Sequence, residues 1–338
     1  MTVKAASTVL GLIGALCLAA AFTLVSGGGG LAQRSAPEAQ VELGRRLFYD
    51  ADLSIDGTMA CATCHEQHHG FTDGNATHPG VHGDPGRRNI QTLANVGTFA
   101  SLTWGDPRVT RLEDQALIPI AGTSPVEMGF HGQEKVLEAR IGGRACYRTL
   151  FAAAFPAEGG PNDEGAVSMA TIAKALAAFQ RTMVSRDAPY DRRKRGEAVE
   201  APPEALRGET LFFAKAGCAR CHAAPDFTDA TGPNAFHRID LPFSGDQGLG
   251  DVTGKAEDNG RFRTPSLRNV GVSAPYLHDG SARTLTGAIR RHRTAVGLKD
   301  EEVEALAAFL RTLTDARFLT DPRFALPRTS CEQAAASP

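Results

Sequence analysis

Cys61-Ala62-Thr63-Cys64-His65 and Cys218-Ala219-Arg220-Cys221-His222, 157 residues apart (218 minus 61), decide how this chain folds. Each pentapeptide supplies two thiols spaced to add across the two vinyl groups of one heme. Each also carries an adjacent imidazole that the resulting thioether tether brings to the iron. A Cys-x-x-Cys pair alone also serves zinc and thiol redox sites. Two copies that both end in His, in a chain with an export signal, favour two covalent c-type hemes over zinc.

That export signal is read from Lys4, an apolar run over 9–25, and the small-residue stretch Gly30-Leu31-Ala32. The order is that of a secretory signal, with cleavage expected near Ala32, so residues 1–32 are assigned to a signal peptide and the mature chain to the periplasm. Of seven cysteines, four belong to the heme motifs and Cys17 falls inside the signal. Cys146 and Cys331 remain, either as a disulfide, as an even remainder in an oxidising compartment suggests, or as two separate buried thiols. Lys and Arg total 36 against 38 Asp and Glu, a balance that argues for neither nucleic acid nor an acidic membrane surface as partner.

Apolar spacing predicts helices over 37–50 (Val41, Leu43, Leu47, Phe48) and 167–184 (Ile172, Leu176, Phe179, Met183). A third is expected near the end, N-capped by Asp300 and carrying Val303, Leu306, Phe309, Leu310 and Leu313. Strand-like alternation is scarce, and 70–105 and 225–275 are rich in Gly, Pro, Asp and Asn. The expected fold is mainly α, two cytochrome c-like heme domains with long loops, in which heme replaces much of an aliphatic core. The units are placed at 37–195 and 201–330, joined through the polar stretch 187–203 with its Asp191-Arg192-Arg193-Lys194-Arg195 run and Pro202-Pro203 pair. Leu43-Gly44-Arg45-Arg46-Leu47-Phe48 before the first motif and Leu206-Arg207-Gly208-Glu209-Thr210-Leu211-Phe212 before the second read as an imperfect duplication.

Five further segments are Gly83-Asp84-Pro85-Gly86-Arg87-Arg88-Asn89, Leu112-Glu113-Asp114-Gln115, Pro125-Val126-Glu127-Met128-Gly129, Phe262-Arg263-Thr264-Pro265-Ser266-Leu267-Arg268-Asn269-Val270 and Ala274-Pro275-Tyr276-Leu277-His278-Asp279-Gly280-Ser281. Through them the chain resembles the bacterial diheme cytochrome c peroxidase and MauG superfamily over nearly all of its mature length. Thr103-Trp104-Gly105-Asp106-Pro107 and the spacing before Glu127 are most similar to the MbnH-like branch, whose activity is oxidation of tryptophan in a partner protein.

The resemblance implies that the heme on Cys61, Cys64 and His65 is the peroxide-reactive one, with Glu127 as distal acid-base residue and Gln115 and Pro119 beside it. Two extra residues near Gly122 and Thr123 depart from the family spacing. Where classical members carry a removable histidine ligand, this chain has Val81, with His82 one residue away as an alternative sixth ligand; an open iron is the main expectation. His68, His69 and His78 in the same loop read as solvated histidines.

For the heme on Cys218, Cys221 and His222, the resemblance implies His292 as the far ligand, counted from the His278-Asp279-Gly280 motif; all five methionines lie at or before Met183, so the C-terminal unit offers none. His237 and His278 are competitors, with a structural role implied for His278. The lone Trp104 aligns between the hemes as an electron relay, against the alternative of a packed core aromatic. Asn89 and the carbonyls of Ser273 and Pro275 align with an inter-heme calcium site, with Ser273 in place of the usual Thr.

The implied activity is a periplasmic diheme oxidoreductase that uses hydrogen peroxide to form a high-valent diheme state and oxidises a partner protein, with tryptophan as the expected target. A cytochrome c peroxidase fed by a small redox protein and a non-catalytic diheme electron carrier are the rival readings. Homodimers occur in the family, although no sustained apolar surface stripe here demands one.

Overall fold

The computed structural model describes residues 35–158, 167–233, 235–239, 245–331 and 333. The expected signal peptide and Cys17 lie outside them. No helix among the described residues is long and apolar enough to cross a membrane. The architecture is helices joined by long loops, and the strands among the described residues are one antiparallel pair, Phe236–His237 with Phe262–Arg263.

The three periodic segments are helical at Ala36–Phe48, Met169–Arg181 and Asp300–Arg311. Ser168 caps the second, its Oγ accepting from the Thr171 N–H at 3.2 Å, and Pro37 occupies the first turn of the first, where a missing N–H costs nothing. Asp300 is not the N-cap. It begins the helix, and Lys299 takes the cap position, its backbone N–H donating to Glu302 at 3.0 Å. Asp, Glu and Glu in the first turn still oppose the positive end of the helix dipole, so the acidic cluster acts as charge rather than cap.

Helix Ala36–Phe48 crosses Met169–Arg181, and Pro203–Phe213 crosses Asp300–Arg311. Both crossings are made at a glycine. A Cβ on Gly44 would sit 1.9 Å from the Ala175 carbonyl oxygen, and one on Gly208 would sit 1.8 Å from that of Ala305. The duplication extends to the aromatics: Phe48 meets Phe179 and Phe71 at ring-centre distances of 5.4 and 6.1 Å, and Phe212 meets Phe309 and Phe227 at 5.1 and 5.9 Å. These triads anchor two separate buried apolar clusters.

Beyond Thr314 the chain leaves the second cluster. Phe318, Phe324 and Cys331 are buried in the first, Arg45 donates to the Ala325 carbonyl at 2.8 Å, and Tyr49 donates to that of Phe324 at 2.7 Å. Residues 315–330, which the sequence reading groups with the C-terminal unit, therefore lead with Cys331 into a strap over the N-terminal one. Cys331 ends this strap in a disulfide with Cys146, Cα atoms 5.6 Å apart across 185 residues of chain. Of the two readings left open for that pair, the bridged one holds.

A buried polar network joins the two repeats. Asn95 and Asn269 each adopt left-handed backbone (φ 62° and 61°) before a short 3-10 turn. The Asn95 Oδ1 accepts from the Ser185 N–H and the Asn269 Oδ1 from the Asp315 N–H, each at 2.8 Å, while the Asn269 amide donates to the Ser185 Oγ at 3.1 Å. Every member is bonded, which is what makes so polar a junction tolerable in the interior.

Replacing Gly44 or Gly208 by Ala is expected to lower the melting temperature of the heme-loaded protein by about 3–10 °C, since overpacking against backbone costs ~1–3 kcal/mol or more. Gly143→Ala, with open space around its Cα, serves as the control and should leave the melt within about 1–2 °C of the parent.

Candidate diheme site

His65 follows a one-turn helix, Cys61–Cys64, and His222 a 3-10 turn, Cys218–Arg220. The His65 Nδ1 lies 2.8 Å from the Phe71 carbonyl oxygen and the His222 Nδ1 3.1 Å from that of Phe227. A carbonyl only accepts, so each Nδ1 carries the proton and Nε2 is left as the ligating nitrogen. Phe71 and Phe227 both have positive φ, 64° and 54°, a conformation costly for a bulky side chain, and it is this bend that turns each carbonyl back onto its imidazole. Burial lowers the pKa of both rings, that of His222 to about 4 with His292 as a second cause, so both are neutral, the form that binds metal.

Each histidine opens into its own cavity. The first, about 310 Å³, is lined by Cys61, Cys64, His65, Leu93, Leu102 and Leu176; the second, about 340 Å³, by Cys218, Cys221, His222, Leu285, Leu306 and Leu310. Apolar walls beside a paired thiol motif and a neutral, oriented imidazole fit a covalently held heme.

The first cavity has a polar far wall. Gln115 and Pro119, four residues apart on one face of helix Leu112–Ala121, line it together with Glu127. The Glu127 backbone is clamped: its carbonyl accepts from the Val81 N–H at 2.8 Å, and the next residue, Met128, donates to the Pro119 carbonyl at 2.9 Å and accepts from the Ile55 N–H at 2.8 Å. Gly122 and Thr123, where the spacing departs from the family, sit in the turn that ends this helix and leave Pro119 and Glu127 on the same cavity. Burial raises the Glu127 pKa, with His78 partly opposing it.

His82 is exposed and does not line the cavity, so the alternative sixth ligand is not in place. His78 lines it instead, against the reading of that ring as solvated, with its Nδ1 2.9 Å from the Pro79 carbonyl oxygen.

The second cavity ends on a second imidazole. His292 faces His222 with ring centres 6.3 Å apart, and its Nδ1 lies 2.9 Å from the Ala288 carbonyl. Two imidazoles binding one metal from opposite sides at ~2.0–2.1 Å per nitrogen would hold their ring centres roughly 6 to 6.5 Å apart, so the pair is spaced for a six-coordinate iron. The competitors are engaged elsewhere: the His237 Nε2 is 2.6 Å from an Asp229 oxygen, and the buried His278 stacks on Phe262 at 3.7 Å.

Trp104, buried, lines both cavities and donates from Nε1 to the Asn89 carbonyl at 2.8 Å. Asn89, Ser273 and Pro275 all line the second cavity. The Asn89 amide nitrogen donates to the Asn75 and Ala76 carbonyls at 3.0 and 3.2 Å, which leaves its oxygen as the group that could meet a cation.

One residue of this wall went unread in the sequence. Arg263 is 3% exposed, lines both cavities, and donates to the Gln91 side chain and to the Thr103 and Thr264 carbonyls. Burial pulls its pKa down to about 10, so it stays charged at neutral pH. No carboxylate among the described residues forms an ion pair with it, and an unpaired buried cation is expensive. The Asp229 charge offsets part of the burial, and heme carboxylates would add to it. With Arg261 and Arg268 close by in the chain, it carried no local signal that set it apart from an exposed arginine.

Two neutral histidines, each behind a paired thiol motif and each facing a separate apolar cavity, define a two-domain c-type diheme protein. Comparison with known proteins makes this specific. Residues 38–199 match the di-haem cytochrome c peroxidase family and residues 205–314 the cytochrome c family. The methylamine utilization protein MauG of Methylophilus methylotrophus is 38% identical over 75% of this chain and 71% of its own length. The cytochrome c551 peroxidase of Nitrosomonas europaea is 32% identical over 85% and 82%. The crystal structure of a MauG-like protein associated with microbial copper homeostasis superposes with a TM-score of 0.77 at 37% identity, covering 86% of this chain and 93% of that one. The chain belongs to the diheme cytochrome c peroxidase and MauG family, and it is a peroxide-dependent diheme oxidoreductase.

Replacing His292 with Ala should convert the second heme from low to high spin in the ferric spectrum while both hemes stay attached. A spectrum unchanged from the parent would remove His292 from the iron.

Proposed function

We propose that this protein works in the periplasm and uses hydrogen peroxide to oxidise a partner protein, at tryptophan, by electron transfer through both heme sites. The observation that carries this reading is the asymmetry of the two cavities: Glu127, Gln115 and Pro119 face the first, a carbonyl-oriented His292 closes the second, and Trp104 borders both. Covalent heme motifs and a disulfide suit an oxidising compartment.

Cys61, Cys64 and His65 would hold the first heme, and Cys218, Cys221, His222 and His292 the second. When bound, the hemes supply the redox chemistry, the first accepting peroxide and the second passing or storing oxidising equivalents. Peroxide takes up two electrons and two protons to leave as two waters, and a two-electron oxidation of the partner supplies the electrons.

Glu127 moves the proton. A buried carboxylate of raised pKa can take a proton from the inner peroxide oxygen and return it to the outer one, and the clamped backbone keeps the carboxyl at the cavity wall. Gln115 orients the peroxide by hydrogen bonding, and Pro119 keeps that stretch of wall apolar. The Trp104 indole lies on the route between the sites and relays an electron from the second to the first. Arg263 balances the charge of heme carboxylates between the cavities. Calcium, held by the Asn89 side chain and the Ser273 and Pro275 carbonyls, would fix the spacing of the two walls.

Glu127→Gln is expected to slow the reaction with peroxide by about 10²–10⁴-fold in stopped-flow spectra, with both hemes attached. Trp104→Phe should leave the first peroxide step near its parent rate and suppress oxidation of an added protein substrate. If both variants match the parent, this reading fails. Metal analysis of the purified protein should find one calcium per chain, lost in Asn89→Ala.

A further inference from the structure

The loop behind the first heme motif carries a cluster that none of the preceding chemistry uses. Glu66, His68 and His69 bring a carboxylate oxygen and two imidazole nitrogens within 4.8 Å of one another. The Glu66 Oε2 lies 3.1 Å from the His68 Nε2 and 3.3 Å from the His69 Nδ1, and the two rings are tilted at 45° with centres 4.2 Å apart. Donors binding one ion tetrahedrally at ~2.0–2.1 Å sit roughly 3.3 Å from each other, close to the separation of the carboxylate oxygen from each ring nitrogen.

A second observation points to a ligand. The His69 Nδ1 is shielded from solvent and makes no hydrogen bond, although the carboxylate oxygen is only 3.3 Å away. A nitrogen lone pair facing a carboxylate at that separation, without a proton aligned between them, is what a shared cation satisfies. The backbone holds the donors ready. Gln67–His69 is a 3-10 turn ended by Gly70 at φ 70°, so residues 66 and 69 fall on one side of it. From the opposite side the Gln67 side chain donates to the Phe318 and Asp321 carbonyls at 3.0 and 2.9 Å, tying the turn to the C-terminal strap.

We propose that Glu66, His68 and His69 form a binding site for one divalent borderline cation, zinc or copper. Two imidazoles and one carboxylate are the donor set of such ions, while calcium and magnesium prefer oxygen alone. His68 is 69% exposed in its side chain, so the remaining coordination positions face solvent and take water. The ion would close a ring across the loop that also carries the Phe71 carbonyl, and with it the orientation of His65.

The test is calorimetric titration of the chelator-treated, heme-loaded protein with zinc, and of His68→Ala and His69→Ala forms. One equivalent should bind to the parent, and each variant should bind at least about tenfold more weakly with its heme spectrum unchanged. Because His68 is exposed, His68→Ala tests the site even if His69→Ala disturbs the loop. Copper titrated in the same way should give an electron paramagnetic resonance signal with coupling to two imidazole nitrogens, reduced to one in His68→Ala. Absence of a one-equivalent event with either metal, or equal affinity in parent and His68→Ala, would overturn the site.

Discussion

The hydrogen bond from an imidazole Nδ1 to the carbonyl of a left-handed phenylalanine is the contact around which each half of this molecule is arranged. It is made twice, His65 to Phe71 and His222 to Phe227, and it fixes both the tautomer and the aim of the ligating nitrogen. The Phe71 ring then packs against Phe48, which itself meets Phe179, and the Phe227 ring packs against Phe212 and Phe309, at the helix crossings made at Gly44 and Gly208. One residue thus serves the cofactor with its carbonyl and the core with its side chain. That coupling explains why the backbone strain is retained in both repeats.

On this common frame the two cavities differ in the groups that face the tethered histidine. In the first, helix Leu112–Ala121 and the segment around Glu127 supply a carboxyl, an amide and a proline. In the second, the turn after helix Leu285–Arg290 supplies His292, whose Nδ1 repeats the carbonyl lock used by the tethered histidines. On the proposed function, Cys218, Cys221, His222 and His292 would hold a heme that passes electrons, whereas Cys61, Cys64 and His65 would hold one that meets peroxide beside a buried acid. Division of labour between the two similar units would then rest on a few side chains, while Trp104 and Arg263 line both cavities.

Much of this was legible in the sequence, because the heme motifs and the helix periodicities are local. Cys-x-x-Cys-His is complete within five residues, and the apolar faces of Ala36–Phe48, Met169–Arg181 and Asp300–Arg311 are set by the 3.6-residue repeat. The tethering cysteines, the two tethered histidines and the mainly helical fold follow from such patterns. The segment around Glu127 carried its match to the family for the same reason. The deeper duplication was legible too but missed: Ser-Leu-Arg-Asn-Val-Gly at 266–271 echoes Thr-Leu-Ala-Asn-Val-Gly at 92–97, and both asparagines anchor the buried junction.

What the tertiary structure alone decided is what depends on distance between remote segments. The resemblance pointed to His292, but its 6.3 Å separation from His222 spans 70 residues of chain (292 minus 222), and that distance has no local signature. The exchange of His82 for His78 at the first cavity, the return of residues 315–331 to the N-terminal unit, and the Cys146–Cys331 bridge are of the same kind. Arg263 shows the reason most plainly. An arginine reads as a surface residue, and only the packing of two cavities against it makes it a buried charge that the cofactors must answer. Local sequence determined which residues could bind heme; long-range packing decided which side chains face each heme from the other side, because that choice is set by where distant loops come to rest.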